Sequence, residues 1–119
     1  MQPGEWEDRL LYSLFIGKRR DEVEIPAAEF DLALKSLTDR IKTTLGAYTR
    51  VRFIEAEGET LTWGQEPTAL VLVIADVAQK NLADAAVTDT AARLAEDLSQ
   101  DAIWITRLRL DLFVAQRMG

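Results

Sequence analysis

Seven apolar residues follow one another at positions 69–75, Ala69-Leu70-Val71-Leu72-Val73-Ile74-Ala75. A strand with one face in water would alternate apolar and polar residues, so this run predicts a strand inside a sheet with both faces covered. The run is too short for a membrane-spanning helix, which needs about 20 apolar residues. Pro67 before it and Asp76 after it mark its ends. The rest of the chain is therefore expected to supply the elements that cover this strand.

Two amphipathic helices are predicted, one on each side of this strand in the sequence. The first opens at Pro26 and ends at Gly46, and its apolar stripe recurs at helical spacing through Phe30, Leu34, Leu37, Ile41 and Leu45. The second follows a cap at Asp76 or Asn81, and its stripe is Ala83, Val87, Ala91, Leu94 and Leu98. Both stripes are expected to be buried against the sheet.

Three further segments have the pattern of strands. Residues 10–16, ended by Gly17, are mostly apolar and predict a second interior strand. Residues 50–54 and 102–114 alternate in polarity, which predicts strands at the edges of the sheet. The polar faces of these two strands carry four arginines, Arg50, Arg52, Arg107 and Arg109.

The order of these elements predicts an α+β fold, a ferredoxin-like βαββαβ sandwich in which both helices lie on one face of an antiparallel sheet. Each helix is expected to link two strands that are parallel neighbours. The length of 119 residues predicts a single domain over residues 1–119, with residues 1–8 and 116–119 as flexible tails.

Several short motifs are shared with a known group of proteins. They are Leu-Tyr-Ser-Leu-Phe-Ile-Gly at 11–17, Pro-Ala-Ala-Glu-Phe at 26–30, Glu57-Gly58, Glu66-Pro67, and Ser-Gln-Asp-Ala-Ile at 99–103. Together they resemble a family of small uncharacterised bacterial α+β domains, over most of the chain. The chain departs from that pattern at residues 59–62, Glu-Thr-Leu-Thr, where a tryptophan is expected sooner after the turn glycine. The resemblance implies the fold and, because the family has no agreed activity, no functional residue.

Composition excludes several classes of function. The net charge of −6 repels nucleic acid and anionic membrane surfaces, so neither is expected as a partner. The chain contains no His and no Cys, the commonest ligands of transition metals, so no metal and no cofactor is expected. Residues 1–8 are acidic and lack an apolar core, so they do not form a secretory signal, and a cytoplasmic location is expected.

The sheet face away from the helices is the candidate functional surface. Two helices cover only one face of a four-stranded sheet, and an apolar central strand would leave the other face more apolar than soluble monomers usually show. We interpret this face as an interface centred on Leu70, Leu72 and Ile74, although the alternative set Val71, Val73 and Ala75 has the same character. Arg50, Arg52, Arg107 and Arg109 would frame it as a rim. A homodimer, a partner protein, an apolar ligand, or the chain's own tails with residues 61–63 would each cover it.

A second candidate is the basic run Lys18-Arg19-Arg20 directly after Gly17. Such a run can bind a phosphate or a carboxylate, although its spacing matches no phosphate-binding loop. The alternative is a solvated loop whose charge is neutralised by the acidic residues at 21–24.

These features favour a non-catalytic binding domain that forms a homodimer. One alternative is a small acidic protein that blocks a basic surface of a nucleic-acid enzyme. Another is an enzyme that uses Asp, Glu, Tyr or Lys chemistry, but none of these residues shows a catalytic spacing.

Overall fold

A computed structural model of the chain describes residues 4–46, 50–56, 59–60, 64–65 and 68–117, and for residues 50–65 it describes the backbone alone. The two helices are α1 (Ala27–Leu45) and α2 (Lys80–Asp97). The strands, in chain order, are β1 (Trp6–Gly17), β2 (Arg19–Arg20), β3 (Val23–Glu24), β4 (Arg50–Ala56), β5 (Glu59–Thr60), β6 (Gly64–Gln65), β7 (Thr68–Asp76) and β8 (Trp104–Phe113).

Four of these strands form the main sheet, in the order β4-β7-β1-β8. Every neighbouring pair in this sheet is antiparallel. With α1 and α2 this is the predicted ferredoxin-like βαββαβ fold, and the two apolar strands β1 and β7 occupy its centre as predicted. The expectation of parallel neighbours was wrong. The strands that each helix links do run in the same direction, but a strand from the other half of the chain lies between them, so each crossover spans two positions.

Helix α1 begins after Pro26, whose φ of −53° already suits a helix and whose missing N–H is not needed there. It ends at Gly46, which has a φ of +89° and donates its N–H to the Lys42 carbonyl oxygen at 2.8 Å. A positive φ is accessible to glycine at low energy, which explains why the helix stops at this residue. All five residues of the predicted stripe are buried, which confirms it.

Helix α2 is entered through a 3₁₀ turn, Val77–Gln79, and the Asp76 side chain caps this turn by accepting the Ala78 N–H at 3.0 Å. Ser99, two residues after the last helical residue, has a φ of +53°. The N–H groups of Ser99 and Gln100 donate to the carbonyl oxygens of Glu96 and Ala95, which is the Schellman pattern of helix termination. The predicted stripe of α2 is buried as well.

The core lies between the helices and one face of the sheet. Leu10, Tyr12, Leu14 and Ile16 of β1 and Ala69, Val71, Val73 and Ala75 of β7 are buried there. Ile103 and Ile105, which stand on the same side of the last strand as its arginines, are partly buried against this core. The side of β8 that carries the arginines is therefore the side that faces the helices.

Strand β1 begins earlier than the sequence predicts. Residues 6–8, assigned above to a flexible tail, belong to β1 and pair with residues 111–113 of β8. The Trp6 ring lies 5.1 Å from the Phe113 ring, and Glu7 forms an ion pair with Arg9 at 2.6 Å. These contacts give an acidic, weakly patterned segment enough partners to extend the strand.

The charged connection after β1 is a hairpin rather than an irregular loop. Its two short strands, β2 and β3, pair around Asp21 and Glu22, and both of these residues have a positive φ. Positive φ at both central positions is the signature of a type I′ turn, the turn that matches the twist of paired strands. The predicted turn at Glu57-Gly58 and the arm at residues 61–63 lie outside the described residues.

Candidate functional site

The sheet face opposite the helices consists of odd-numbered residues of β1 and even-numbered residues of β7 and β8. This follows from the register, in which Leu11 stands opposite Ile74 and Leu108, and Phe15 stands opposite Leu70 and Trp104. Neither helix packs on this side. We call it the open face, and its apolar and hydroxyl residues on these three strands are Leu11, Ser13, Phe15, Leu70, Leu72, Ile74, Trp104, Thr106, Leu108, Leu110 and Leu112.

The exposure of β7 decides which of its two apolar sets belongs to the open face. Val71 and Val73 are completely buried against the helices, whereas Leu70, Leu72 and Ile74 are half-buried on the other side. The predicted interface residues of β7 therefore share the open face. The open face is more exposed in the first half of β8, where Trp104 and Thr106 are exposed and Leu108 keeps 62% of its surface accessible.

The open face has a simple row pattern across the strands. One apolar row contains Phe15, Leu70 and Trp104, and another contains Leu11, Ile74 and Leu108. Between them lies a row in which Ser13 stands opposite Leu72 and Thr106. Across β1, β7 and β8 the middle of the face is thus apolar, apart from two hydroxyl groups.

Two of the four predicted rim arginines share this face. Arg50 pairs with Ile74 and Arg52 with Leu72 in the β4–β7 ladder, so the backbone register puts both positions on the open face. The side chains of these two arginines lie outside the described residues.

Arg107 and Arg109 are on the opposite side, which corrects the predicted rim. Their partners in the β1–β8 ladder are Tyr12 and Leu10, which point into the core. Arg109 binds the Asp8 carboxylate, and this hydrogen bond lowers the pKa of Asp8. Both edge strands were correctly assigned, but parity within a strand does not reveal which parity faces the helices.

Arg9 occupies the polar end of the open face instead. Its Nη2 lies 2.6 Å from Glu7 Oε2, and its Nη1 lies 3.9 Å from Asp76 Oδ2. The side chains of Arg9 and Glu7 are only 16% and 17% exposed. This pair closes one end of the apolar rows, and sequence patterning did not indicate it because Arg9 lay at the boundary of a predicted tail.

A second polar cluster joins α2 to the sheet on the helix side. Asp84 Oδ1 accepts a hydrogen bond from the Tyr12 hydroxyl at 2.5 Å, and Oδ2 accepts one from Arg107 Nη1 at 2.6 Å. These two donors, with Lys80 Nζ at 3.3 Å, outweigh desolvation and lower the pKa of Asp84 to about 2. Burial, and then the bond to Asp84, raises the pKa of Tyr12. A tyrosine held neutral in this way acts as a fixed donor, which suits a structural role better than proton abstraction.

The basic run at 18–20 does not converge on one anion site. Lys18 Nζ lies 5.9 Å from the centre of the Phe30 ring, a cation–π arrangement. Arg20 donates to the Leu98 carbonyl oxygen at 2.8 Å and to Glu29 Oε1 at 2.5 Å, which ties the hairpin to both helices. Arg19 is exposed and lines a cavity beside Arg20.

Neither a metal-binding group nor a membrane-spanning helix is found in the part of the chain that the structure describes. Among the described residues, no three acidic side chains are grouped closely enough to hold a metal ion. No described helix is both long and apolar enough to cross a membrane.

Comparison with known proteins establishes the fold and no activity. No protein-family model matches the chain, and no curated protein matches it either. Among solved structures, a phage SAM lyase in complex with S-methyl-5′-thioadenosine is similar, with a TM-score of 0.58 and 13% identity over 96% of this chain and 95% of the lyase. The de novo designed protein Foldit4 is similar with a TM-score of 0.57 and 11% identity, over 86% of this chain and 97% of Foldit4. Because a lyase and a designed chain share this fold, the fold alone identifies no function. The resemblance to uncharacterised bacterial domains stays a prediction.

Proposed function

We propose that this protein is a binding domain that forms a two-fold dimer through its open face, and that it is not an enzyme. The observation that carries the proposal is the apolar character of a face on which neither helix packs. Leu70, Leu72 and Ile74 remain half-buried at its centre, while Leu108 is mostly exposed. Covering this surface removes apolar area from water, which stabilises an assembly by about 25 cal/mol per Å² before the cost of association is counted.

The size of the face suits a dimer. A four-stranded sheet is about 19 Å wide and a strand of nine residues is about 30 Å long, so the face has an area of about 600 Å². Two such faces in contact would bury about 1,200 Å² in total, the lower end of the range for stable protein interfaces. The proposed dimer is therefore of moderate stability and depends on concentration.

The row pattern supports pairing of the face with its own copy. A two-fold axis through the central row of Ser13 and Thr106 would place the Phe15 row of one subunit on the Leu11 row of its partner. The hydroxyls of the central row would then meet near the axis, where they can bond to each other. A self-complementary patch of this kind needs no second gene product.

The competing functions have less support. A small acidic protein that blocks the basic surface of a nucleic-acid enzyme needs a continuous acidic patch. In this chain, four of the acidic side chains each form an ion pair with an arginine: Glu7, Asp8, Glu29 and Asp84. The activity of the phage lyase is not transferred to this chain, because a likeness at 13% identity extends only to the fold.

A charge placed on the open face tests the proposal. Leu72→Glu should dissociate the dimer, because Leu72 lies in the central row, where the carboxylates of the two copies would lose hydration and meet like charge near the two-fold axis. The monomer should keep its fold, since Leu72 does not pack into the core between sheet and helices. Light scattering gives the mass, and circular dichroism verifies the fold.

Leu32→Glu is the matched control. Leu32 is 71% exposed on the outer side of α1, so the same substitution there changes net charge equally without touching the open face. The proposal requires a monomeric Leu72→Glu variant and a dimeric Leu32→Glu variant. A Leu72→Glu variant that stays dimeric while folded would show that another surface is used.

A further inference from the structure

A cavity of about 240 Å³ lies where the end of β1, the β2–β3 hairpin and the segment after α2 meet. Its lining includes Phe15, Arg19, Asp21, Gln100 and Asp101. The volume is below the range of about 300–1,000 Å³ found for pockets that hold drug-sized ligands. A ligand of this cavity would therefore be a small metabolite.

The Gln100 side chain sets the first chemical requirement for a ligand of this cavity. Its Nε2 donates to the carbonyl oxygens of Gly17 and, at 3.3 Å, Arg19, and these two acceptors fix which end of the amide is the nitrogen. Its Oε1 is buried, and no hydrogen-bond donor reaches it within the described part of the chain. Buried acceptors are almost always satisfied in native proteins, so a donor that enters beside this atom would satisfy an acceptor that no described residue satisfies. The ligand should carry an N–H or O–H group.

The charges on the cavity wall provide the second requirement. Arg20 is engaged by Glu29 and the Leu98 carbonyl, whereas Arg19 is exposed and has no ion pair within the described ranges. Two exposed carboxylates, Asp21 and Asp101, line the same cavity. A plain anion would meet repulsion from these carboxylates, and a plain cation would meet repulsion from Arg19. The charges on the wall therefore suit a ligand that carries one positive and one negative group.

We propose that this cavity binds a small zwitterion, a free α-amino acid with an apolar side chain. Its carboxylate pairs with Arg19, since a guanidinium binds carboxylates with two parallel hydrogen bonds. Its ammonium group is attracted by Asp21 and Asp101 and supplies the donor that Gln100 Oε1 lacks. Its side chain lies against Phe15. This site goes beyond the proposed dimerisation and shares one residue with it, Phe15, which borders both the cavity and the open face.

The test is titration of the intact protein with single L-amino acids, followed by the NMR signals of its side-chain amides and by calorimetry. At about 10 mM ligand, a site with a Kd of about 1 mM or tighter would be nearly saturated. We expect at least one apolar amino acid to bind and to shift the Gln100 amide signal. Arg19→Ala should weaken this binding at least about tenfold, the loss expected for one charge-assisted contact.

Two further variants make the result specific. Arg93→Ala removes an exposed arginine of α2 that does not line the cavity, so it should leave binding unchanged. The double variant Asp21→Asn/Asp101→Asn keeps side chains that tolerate the local backbone, and it should weaken amino-acid binding. Inorganic phosphate serves as the anion probe. The proposal is overturned if no amino acid binds, if Arg19→Ala has no effect, or if phosphate binds as tightly as the amino acid and binds better in the double variant.

Discussion

Asp84 accepts hydrogen bonds from two strands of the sheet, through Tyr12 of β1 and Arg107 of β8. Its pKa of about 2 in the folded protein is below the value of about 3.9 for an unfolded chain. A depressed pKa adds stability above the unfolded value, and this contribution is lost as the pH falls through the folded value. We therefore expect part of the free energy of unfolding to disappear between about pH 4 and pH 2.

Asp84→Asn should remove that part of the pH dependence, since its amide does not titrate. Urea unfolding between pH 2 and pH 7 measures the effect. Asp89→Asn on the same helix is the control, because Asp89 is exposed and has no ion pair within the described ranges. Equal slopes of stability against pH in the two variants would contradict the role given to Asp84.

Ser99 supports a second prediction for a single residue. It holds a φ of +53° at the end of α2, where glycine is the usual residue. Ser99→Gly should raise the free energy of unfolding by about 0.5–1 kcal/mol, because it relieves the steric strain of the left-handed backbone. Ser36→Gly, in the middle of α1, should lower it by about the same amount. A loss of stability in Ser99→Gly would show that the serine side chain has a role that outweighs the strain.

Helix α1 depends on its buried stripe rather than on its exposed residues. Leu37 is 2% exposed in the core between helix and sheet, so Leu37→Ala should lower the free energy of unfolding by about 2–5 kcal/mol. Leu32→Ala, on the exposed side of the same helix, should change it by less than about 0.5 kcal/mol. Chemical denaturation measures both values. A loss below about 0.5 kcal/mol at Leu37 would mean that the stripe is not packed.

Individual elements could be predicted from the sequence where apolar residues recur at a regular spacing or form an uninterrupted run. The stripe from Phe30 to Leu45 identified α1, and the apolar runs identified β1 and β7 as interior strands. The start of β1 at Trp6 was missed, because its contacts come from Phe113, about a hundred residues away, and not from a local pattern. The β2–β3 hairpin was missed because Glu22, at the second of its two positive-φ positions, is a residue type seldom found with that backbone.

At the scale of the whole molecule, the order of the elements was enough to predict the fold, but it did not predict which side chains lie on the open face. The alternation on β8 separated its leucines from Arg107 and Arg109, yet only the register with β1 shows that the arginines face the helices. The cavity at Gln100 had no signal in the sequence, since it forms from three segments that only the fold brings together.

The mass of the wild-type protein in solution tests the central claim most directly. Sedimentation equilibrium at about 10–100 µM would populate a dimer whose Kd is about 1 µM or tighter. The proposed use of the open face predicts twice the chain mass of 13.4 kDa, with dissociation on dilution. A mass of 13.4 kDa at every concentration would contradict it.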